Sequence, residues 1–201
     1  MTRLAALAVA SVLAACAAPG ETPRPVAVAP AAAPARATVA AAPAFEVRNS
    51  GFEADMTPDR RCAPAWDCTM HNNPGAFRFS LQEGGAAAGQ RAFCVERVVD
   101  EPWALLTQAF QTPAVRGKRL RLSMAVRVEG ASGEGAGPWF VAQGRSFPVN
   151  ERKLVRGTRA WERVAIEFAV PADAEVVVVG ATLEGPGKAC FDEVRLETLS
   201  P

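Results

Sequence analysis

The sequence predicts an all-β fold, a sandwich of two antiparallel sheets, and three observations support this prediction. Apolar residues alternate with polar ones over 118–129, which is the two-residue period of a strand with one buried face. The same period returns over 164–170. Gly and Pro residues interrupt the chain at short intervals, and no segment after the N-terminal one has the apolar period of a helix. Short strands separated by frequent turns are typical of a two-sheet sandwich.

The individual strands follow from this alternation and from the residues that end it. Before residue 150, strands are predicted over 45–49, 76–81, 91–98, 103–110, 118–129 and 139–143. Three more are expected within 157–197, where Pro171 ends the first because proline cannot donate to a ladder. The β-branched run 176–179 is typical of a strand covered on both faces, and Gly185-Pro186-Gly187 turns the chain into the last strand. Loops are predicted over 54–75, over 130–137 and in the charged segment after Ser146.

An ordered pattern of residues extends over 157–197. It consists of Gly157-Thr158, Trp161, Val170-Pro171, Gly180, Leu183, Gly185, Gly187 and Phe191-Asp192-Glu193-Val194. The pattern resembles the C-terminal half of galactose-binding-like jelly rolls, the fold of carbohydrate-binding modules of families 4, 9 and 22. Asn49-Ser50-Gly51-Phe52-Glu53 resembles the opening of the same modules. The resemblance implies a jelly roll over most of 45–197 and leaves the ligand open.

The N-terminus is predicted to be a lipoprotein export signal. Arg3 precedes an apolar segment of about a dozen residues, which is short of the roughly 20 needed to span a bilayer. Leu13-Ala14-Ala15-Cys16 resembles the bacterial lipobox. The resemblance implies cleavage before Cys16, a lipidated, palmitate-bearing Cys16 and a protein attached to a membrane outside the cytoplasm. Ala17 favours the outer membrane, and an ordinary secretory signal is the alternative.

Three segments are therefore expected: a signal peptide over 1–15, a lipidated linker over 16–43 and one domain over 44–201. The linker is rich in Ala and Pro and has no aromatic residue, so it is predicted to be a flexible, partly extended tether. Removal of the signal takes one basic residue from the 22 basic and 21 acidic residues, which leaves a formally neutral chain. That neutrality argues against nucleic acid as a partner.

Four cysteines remain once Cys16 is lipidated, and an exported chain favours disulfides. Three pairings are possible. The favoured one joins Cys62 to Cys68, which closes the long loop, and Cys94 to Cys190, which ties an early strand to the last one because chain ends lie close together in such sandwiches. A zinc site using Cys62, Cys68 and His71 is the alternative, although its spacing is unusual for zinc.

No pattern of residues marks a catalytic site. His71 is the one histidine, and the sequence lacks the G-x-S-x-G, H-E-x-x-H and phosphate-binding glycine motifs. The protein is therefore predicted not to be an enzyme, and no catalytic residue is assigned. Two carboxylates that are distant in sequence but close in the fold, as in glycoside hydrolases, are the alternative.

Carbohydrate recognition needs aromatic faces for stacking and polar groups for hydroxyls. The candidate ligand-binding residues are Trp103 and Trp139 on the concave face, with Gln108, Arg121 and Arg127 as polar partners. Each of the two tryptophans has core or edge packing as its alternative role. Trp161 is predicted to pack, and Trp66 either contacts ligand from its loop or covers an end of the sandwich. A protein–protein module of an envelope complex is the second functional hypothesis.

The resemblance also implies a possible structural calcium ion, although no cofactor is required for the predicted function. By position, Glu53 and Asp192 would supply oxygen ligands where the first and last strands meet, and backbone carbonyls would complete the shell. Two surface carboxylates without a metal are the alternative.

Overall fold

Nine strands and one short 3₁₀ turn, Pro113–Val115, form the regular structure in the computed structural model, which describes residues 46–57, 61–110, 113–145 and 148–199. The strands are β1 (Asp67–Met70), β2 (Phe77–Glu83), β3 (Arg91–Arg97), β4 (Trp103–Phe110), β5 (Arg119–Gln143), β6 (Val149–Arg152), β7 (Val155–Ala169), β8 (Val176–Glu184) and β9 (Lys188–Thr198). Within these described ranges, no helix has the length and apolar character needed to cross a membrane. The all-β prediction is confirmed.

The strands form a two-sheet sandwich because the 25-residue strand β5 belongs to both sheets. Its first part pairs with β9 and β7, and its second part pairs with β8 and β6, all antiparallel. One sheet, here called sheet A, therefore has the order β2-β3-β9-β5-β7. The other, sheet B, has the order β1-β4-β8-β5-β6. The prediction of an antiparallel jelly roll is confirmed.

The predicted loop over 130–137 is wrong, because β5 continues through it. The pairing of β5 with β7 shifts register three times between Val126 and Ala136, and Gly130, Gly133 and Gly135 have positive φ angles there. Glycine accepts such angles without a steric penalty, so these bulges let one strand leave sheet A and enter sheet B. The glycines therefore lie where β5 passes from one sheet to the other, and not in a loop between two strands.

The core lies between the two sheets and follows the alternation in β5. Leu120, Leu122, Met124, Val126 and Val128 are all fully buried, as their spacing predicts. Each large aliphatic side chain buried in this way contributes on the order of 1.5–3 kcal/mol to folding. The inner face of sheet A adds further aromatic side chains, Phe93 and Phe191 among them, and none of these is exposed.

Three short elements differ from their sequence-based predictions. The expected first strand, 45–49, has no strand in its described part, where 46–47 are irregular and 48–49 belong to a turn, and β1 and β6 lie in segments predicted to be loops. The backbone of Arg48 pairs with the side chain of Gln108 instead of with a strand. Gln108 Oε1 accepts from the Arg48 N–H at 3.1 Å, and Gln108 Nε2 donates to the Arg48 carbonyl at 2.6 Å. One buried amide thus satisfies a backbone segment that the alternation assigned to a ladder.

Both favoured disulfides, Cys62–Cys68 and Cys94–Cys190, are present, so their prediction is confirmed. Cys94 and Cys190 lie directly opposite each other on β3 and β9, with α-carbons 4.0 Å apart. The zinc alternative is wrong, because Cys62 and Cys68 are bonded to each other and have no thiolate to offer a metal.

Candidate functional site

The outer face of sheet B contains a groove whose side chains come from four strands. On β4, Ala104 and Leu106 are buried in the core, so Trp103 and Leu105 point outward. Directly opposite residues share a face, and Trp103 lies opposite Glu184 while Leu105 lies opposite Thr182 on β8. The groove has a volume of about 370 Å³ and is lined by Trp103, Leu105, Trp139, Asn150, Arg152, Thr182 and Glu184.

Two glycines allow neighbouring backbone to approach the strands of this face closely. Gly180 lies opposite Thr107 on one side and Trp139 on the other, and Gly137 lies opposite Thr182. A Cβ atom at Gly137 would collide with the carbonyl oxygen of Lys153. A Cβ atom at Gly180 would collide with the carbonyl oxygen of Leu106, so the close approach of β4 and β8 requires glycine there.

Trp103 and Trp139 stand at diagonally opposite positions of the groove. Their partners on β8, Glu184 and Gly180, are four residues apart, and β8 lies between β4 and β5. A rise of about 3.4 Å per residue and a strand spacing of about 4.8 Å therefore separate the two α-carbons by roughly 17 Å. An oligosaccharide is long enough to contact both side chains along this diagonal.

An ion pair supplies the charged groups of the groove. Arg152 Nε lies 3.2 Å from Glu184 Oε1, and the side chain of Glu184 is 18% exposed against 44% for Arg152. Burial raises the pKa of Glu184 above its ordinary value, while the Arg152 guanidinium acts in the opposite direction. The Thr182 hydroxyl donates to the Ala104 carbonyl at 3.1 Å. The groove therefore offers both donors and acceptors between its two aromatic walls without a net charge.

Three predicted polar partners do not lie in this groove beside Trp103 and Trp139. Gln108 is 2% exposed on the inner face of β4, where it binds the Arg48 backbone. Arg121 and Arg127 lie on the first part of β5, opposite Glu197 and Cys190 of β9, and so belong to sheet A.

The two remaining tryptophans have structural contacts away from the groove. Trp161 lies on β7 of sheet A, where its Nε1 donates to the Gly85 carbonyl at 2.8 Å and the Arg127 guanidinium lies 5.0 Å from its ring centroid. Trp66 is buried against Phe52, with ring centroids 5.3 Å apart, and its Nε1 donates to the Asn49 carbonyl. Trp66 therefore covers the core.

Five residues that line the groove were not predicted from the sequence: Leu105, Asn150, Arg152, Thr182 and Glu184. The alternation in β4 and β8 could have placed Leu105, Thr182 and Glu184 beside Trp103, because each follows the two-residue period. Asn150 and Arg152 had no such signal, since β6 is a four-residue edge strand within a charged segment.

Glu53 and Asp192 come close to each other but hold backbone N–H groups. Asp192 Oδ2 accepts from the amides of Ala87 and Ala88 at 3.0 Å, and its Oδ1 accepts from its neighbour Glu193. Glu53 Oε1 accepts from the amides of Gln90 and Arg91. Three of the four carboxylate oxygens thus have amide donors, and the described residues contain no cluster of three metal-ligating side chains. This arrangement fits a hydrogen-bonded clasp on the β2–β3 loop better than a calcium shell.

We expect the stability of the protein to be independent of calcium, because Ca²⁺ would have to displace these amide donors from Glu53 and Asp192. The melting temperature in excess EDTA should equal that in millimolar CaCl₂. A rise of several degrees with CaCl₂, absent with MgCl₂, would contradict this expectation and support the calcium prediction made from the sequence.

Comparison with solved structures shows the class of fold. A xylan-binding family 22 module from Paenibacillus barcinonensis Xyn10C aligns with a TM-score of 0.54 and 11% identity over 76% of this chain and 93% of that module. The C-terminal family 22 module of Clostridium thermocellum Xyn10B aligns with a TM-score of 0.52 and 17% identity over 74% of this chain and 91% of that module. A family 61 module, solved with β-1,4-galactotriose, aligns with a TM-score of 0.50 and 14% identity over 76% of this chain and 97% of that module. The domain has the galactose-binding-like jelly roll of these carbohydrate-binding modules.

Comparison of sequences adds one distant relative. An uncharacterised helix-turn-helix transcriptional regulator of Bacillus subtilis, YbfP, is 27% identical over 128 residues, which is 61% of this chain. The chain spans 42% of the length of that regulator. No protein-family model matches the sequence.

Proposed function

We propose that this protein is a non-catalytic glycan-binding module that holds a linear oligosaccharide in the groove of sheet B. The observation that carries the proposal is the pair of indoles, Trp103 and Trp139, in one groove that also has polar side chains along its lining. Indole faces stack on the apolar faces of sugar rings, and the polar groups between them bind hydroxyls. Arg152, Glu184 and Asn150 offer such groups.

The ligands of the similar modules support this proposal. One of the similar modules is a xylan-binding domain and another was solved with β-1,4-galactotriose; both ligands are linear glycans with many hydroxyls and no charge in their backbones. A groove whose single carboxylate is paired with a guanidinium is electrostatically suited to a ligand of that kind.

A binding role is favoured over hydrolysis by the composition of the groove. Glycoside hydrolases need two carboxyl groups about 5–10 Å apart on either side of the scissile bond. Among the described residues that line the groove, Glu184 is the one carboxylate, and it forms an ion pair with Arg152. The protein–protein hypothesis, which expected a flat and groove-free face, is less favoured for the same surface.

The proposal is tested by calorimetry with β-1,4-linked xylo-, cello- and galacto-oligosaccharides of two to six units, together with pull-down on insoluble xylan and peptidoglycan. We expect saturable binding to at least one series, with affinity that rises with chain length until both indoles are covered. Intrinsic fluorescence should change at the same concentrations. No binding to any of these glycans would contradict the proposal and move attention to a protein partner.

We further propose that the module is attached to the bacterial envelope through Cys16, at the outer membrane. Cys16 and the linker lie outside the described residues, so the support is the lipobox-like sequence Leu13-Ala14-Ala15-Cys16. Expression in a bacterium fed radioactive palmitate should label the protein and place it in the membrane fraction. Cys16→Ser should abolish the label. An equally labelled Cys16→Ser variant, or an unlabelled wild type, would contradict the anchor.

A further inference from the structure

We infer that the binding face continues past Trp103 onto β1, and that the imidazole of His71 contacts the oligosaccharide there. The inference rests on the proposed glycan-binding function and adds a residue and a subsite to it. None of the groove-lining residues comes from β1, so this position lies beyond the groove itself.

The register places His71 beside Trp103 on the outer face. β1 pairs with β4 so that Met70 lies opposite Ala104, and the His71 N–H donates to the Trp103 carbonyl at 3.2 Å, which extends the ladder by one residue. On its other side, Trp103 lies opposite Glu184. His71, Trp103 and Glu184 therefore form one row across three adjacent strands, with their side chains on the same face.

The His71 ring is held in a fixed orientation by its neighbours. It meets the Trp103 indole edge to face, with centroids 5.7 Å apart and an interplanar angle of 73°. Its Nδ1 lies 2.9 Å from Glu101 Oε1, and the side chain of Glu101 is 11% exposed. Rings that pack in this way lose little freedom when a ligand covers them, which lowers the entropic cost of binding.

Glu101 determines which nitrogen of His71 is free. Partial burial acts to raise the pKa of Glu101, but hydrogen bonds from the Asn72 amide and from His71 outweigh it, so the pKa lies below its ordinary value. A carboxylate only accepts, so Nδ1 of His71 bears the hydrogen of this contact. Asn72 Nδ2 lies 2.9 Å from the same nitrogen, but an amide N–H₂ group only donates, so this contact is not a hydrogen bond in the tautomer that donates to Glu101. Nε2 has no partner among the contacts of the described residues and is available to a sugar hydroxyl.

Most of the charged groups around this subsite are paired. Arg97 donates to the Glu101 carbonyl at 3.0 Å and to Asp100 at 2.8 Å, which holds the loop before β4 in place. Glu184, across Trp103, is already paired with Arg152. His71 is itself 43% exposed. A glycan stacked on Trp103 and extended toward β1 would cover that exposed surface.

A nuclear magnetic resonance titration tests the inference on the wild-type protein. His71 is the only histidine in the chain, so its imidazole C–H signals are assigned without ambiguity. We expect them to shift when the tightest-binding hexasaccharide of the xylo-, cello- and galacto- series is added. Unmoved signals at a concentration that saturates the fluorescence change would overturn the inference while leaving the glycan-binding proposal intact. Absence of any binding would overturn both.

Variants separate a ligand contact from a structural role. His71→Ala should weaken hexasaccharide binding about fivefold to tenfold, the usual effect of losing one hydrogen bond and its packing, and leave trisaccharide binding unchanged. His71→Gln, which keeps a hydrogen-bonding group, should recover part of the loss. An equal loss for both chain lengths would mean that His71 only supports Trp103, and no loss for either would mean that it makes no contact. Both results would overturn the inference.

Discussion

Replacement of Trp139 by alanine should weaken oligosaccharide binding by about 30-fold or more, the effect expected when a central aromatic contact worth about 2 kcal/mol is lost. Trp139 is one of two indoles among the described residues that line the groove, so its removal leaves Trp103 as the remaining aromatic contact there. Trp103→Ala should have a similar effect on ligands long enough to reach it. Calorimetry with a hexasaccharide measures both changes.

The matched control is Trp161→Ala, because this tryptophan is also partly exposed but lies on sheet A. Its loss should leave affinity unchanged, although removal of its contacts with Gly85 and Arg127 should lower stability. Melting temperatures identify any variant that fails to fold. Unchanged affinity in folded Trp139→Ala and Trp103→Ala, or reduced affinity in Trp161→Ala, would exclude the groove of sheet B as the binding site.

Removal of the Cys94–Cys190 disulfide by a double alanine substitution should lower the free energy of unfolding by about 5 kcal/mol, through the entropy that the unfolded chain regains. The bond joins residues 96 positions apart, so it constrains a large part of the unfolded chain. Alanine is preferred to serine, because both positions are 1% exposed and a buried hydroxyl would add its own cost. Urea unfolding of the wild type and the variant measures the difference.

The Cys62–Cys68 bond provides the internal comparison, because only six positions separate its cysteines. Its double alanine variant should lose about 2 kcal/mol by the same argument. Equal losses for the two variants would show that loop entropy is not the main contribution. Retained stability without Cys94–Cys190 would show that the pairing of β3 with β9 is sufficient by itself.

Much of the fold was predictable, because the information lies in short periods along the chain. The alternation over 118–129 identified the buried face of β5, and the bounds of β4 were predicted correctly at both ends. The pairing of Cys94 with Cys190 followed from the closeness of the chain ends in the resembled fold. The edge strands β1 and β6 were missed, since four residues are too few for a period to be recognised.

The candidate site was predictable only in part, and Gln108 and β5 show why. Gln108 lies five residues after Trp103 and therefore on the opposite face of the same strand, where it binds the Arg48 backbone. Its polar character had suggested a ligand contact, but a buried amide with two backbone partners is equally satisfied in the core. The alternation itself, taken strictly, would have excluded it.

The two-residue period in the sequence establishes which side chains face inward and which face outward along the strands. Arg121, Arg127 and Trp139 share the outward-facing parity on β5, and the period of two treats them as one set. Their separation onto two sheets becomes visible only in the fold, because the chain crosses at the glycine-rich bulges over 130–137. A sandwich has two outward faces, and local periodicity does not distinguish them. The crossing therefore places the arginines on sheet A and leaves Trp139 in the groove of sheet B.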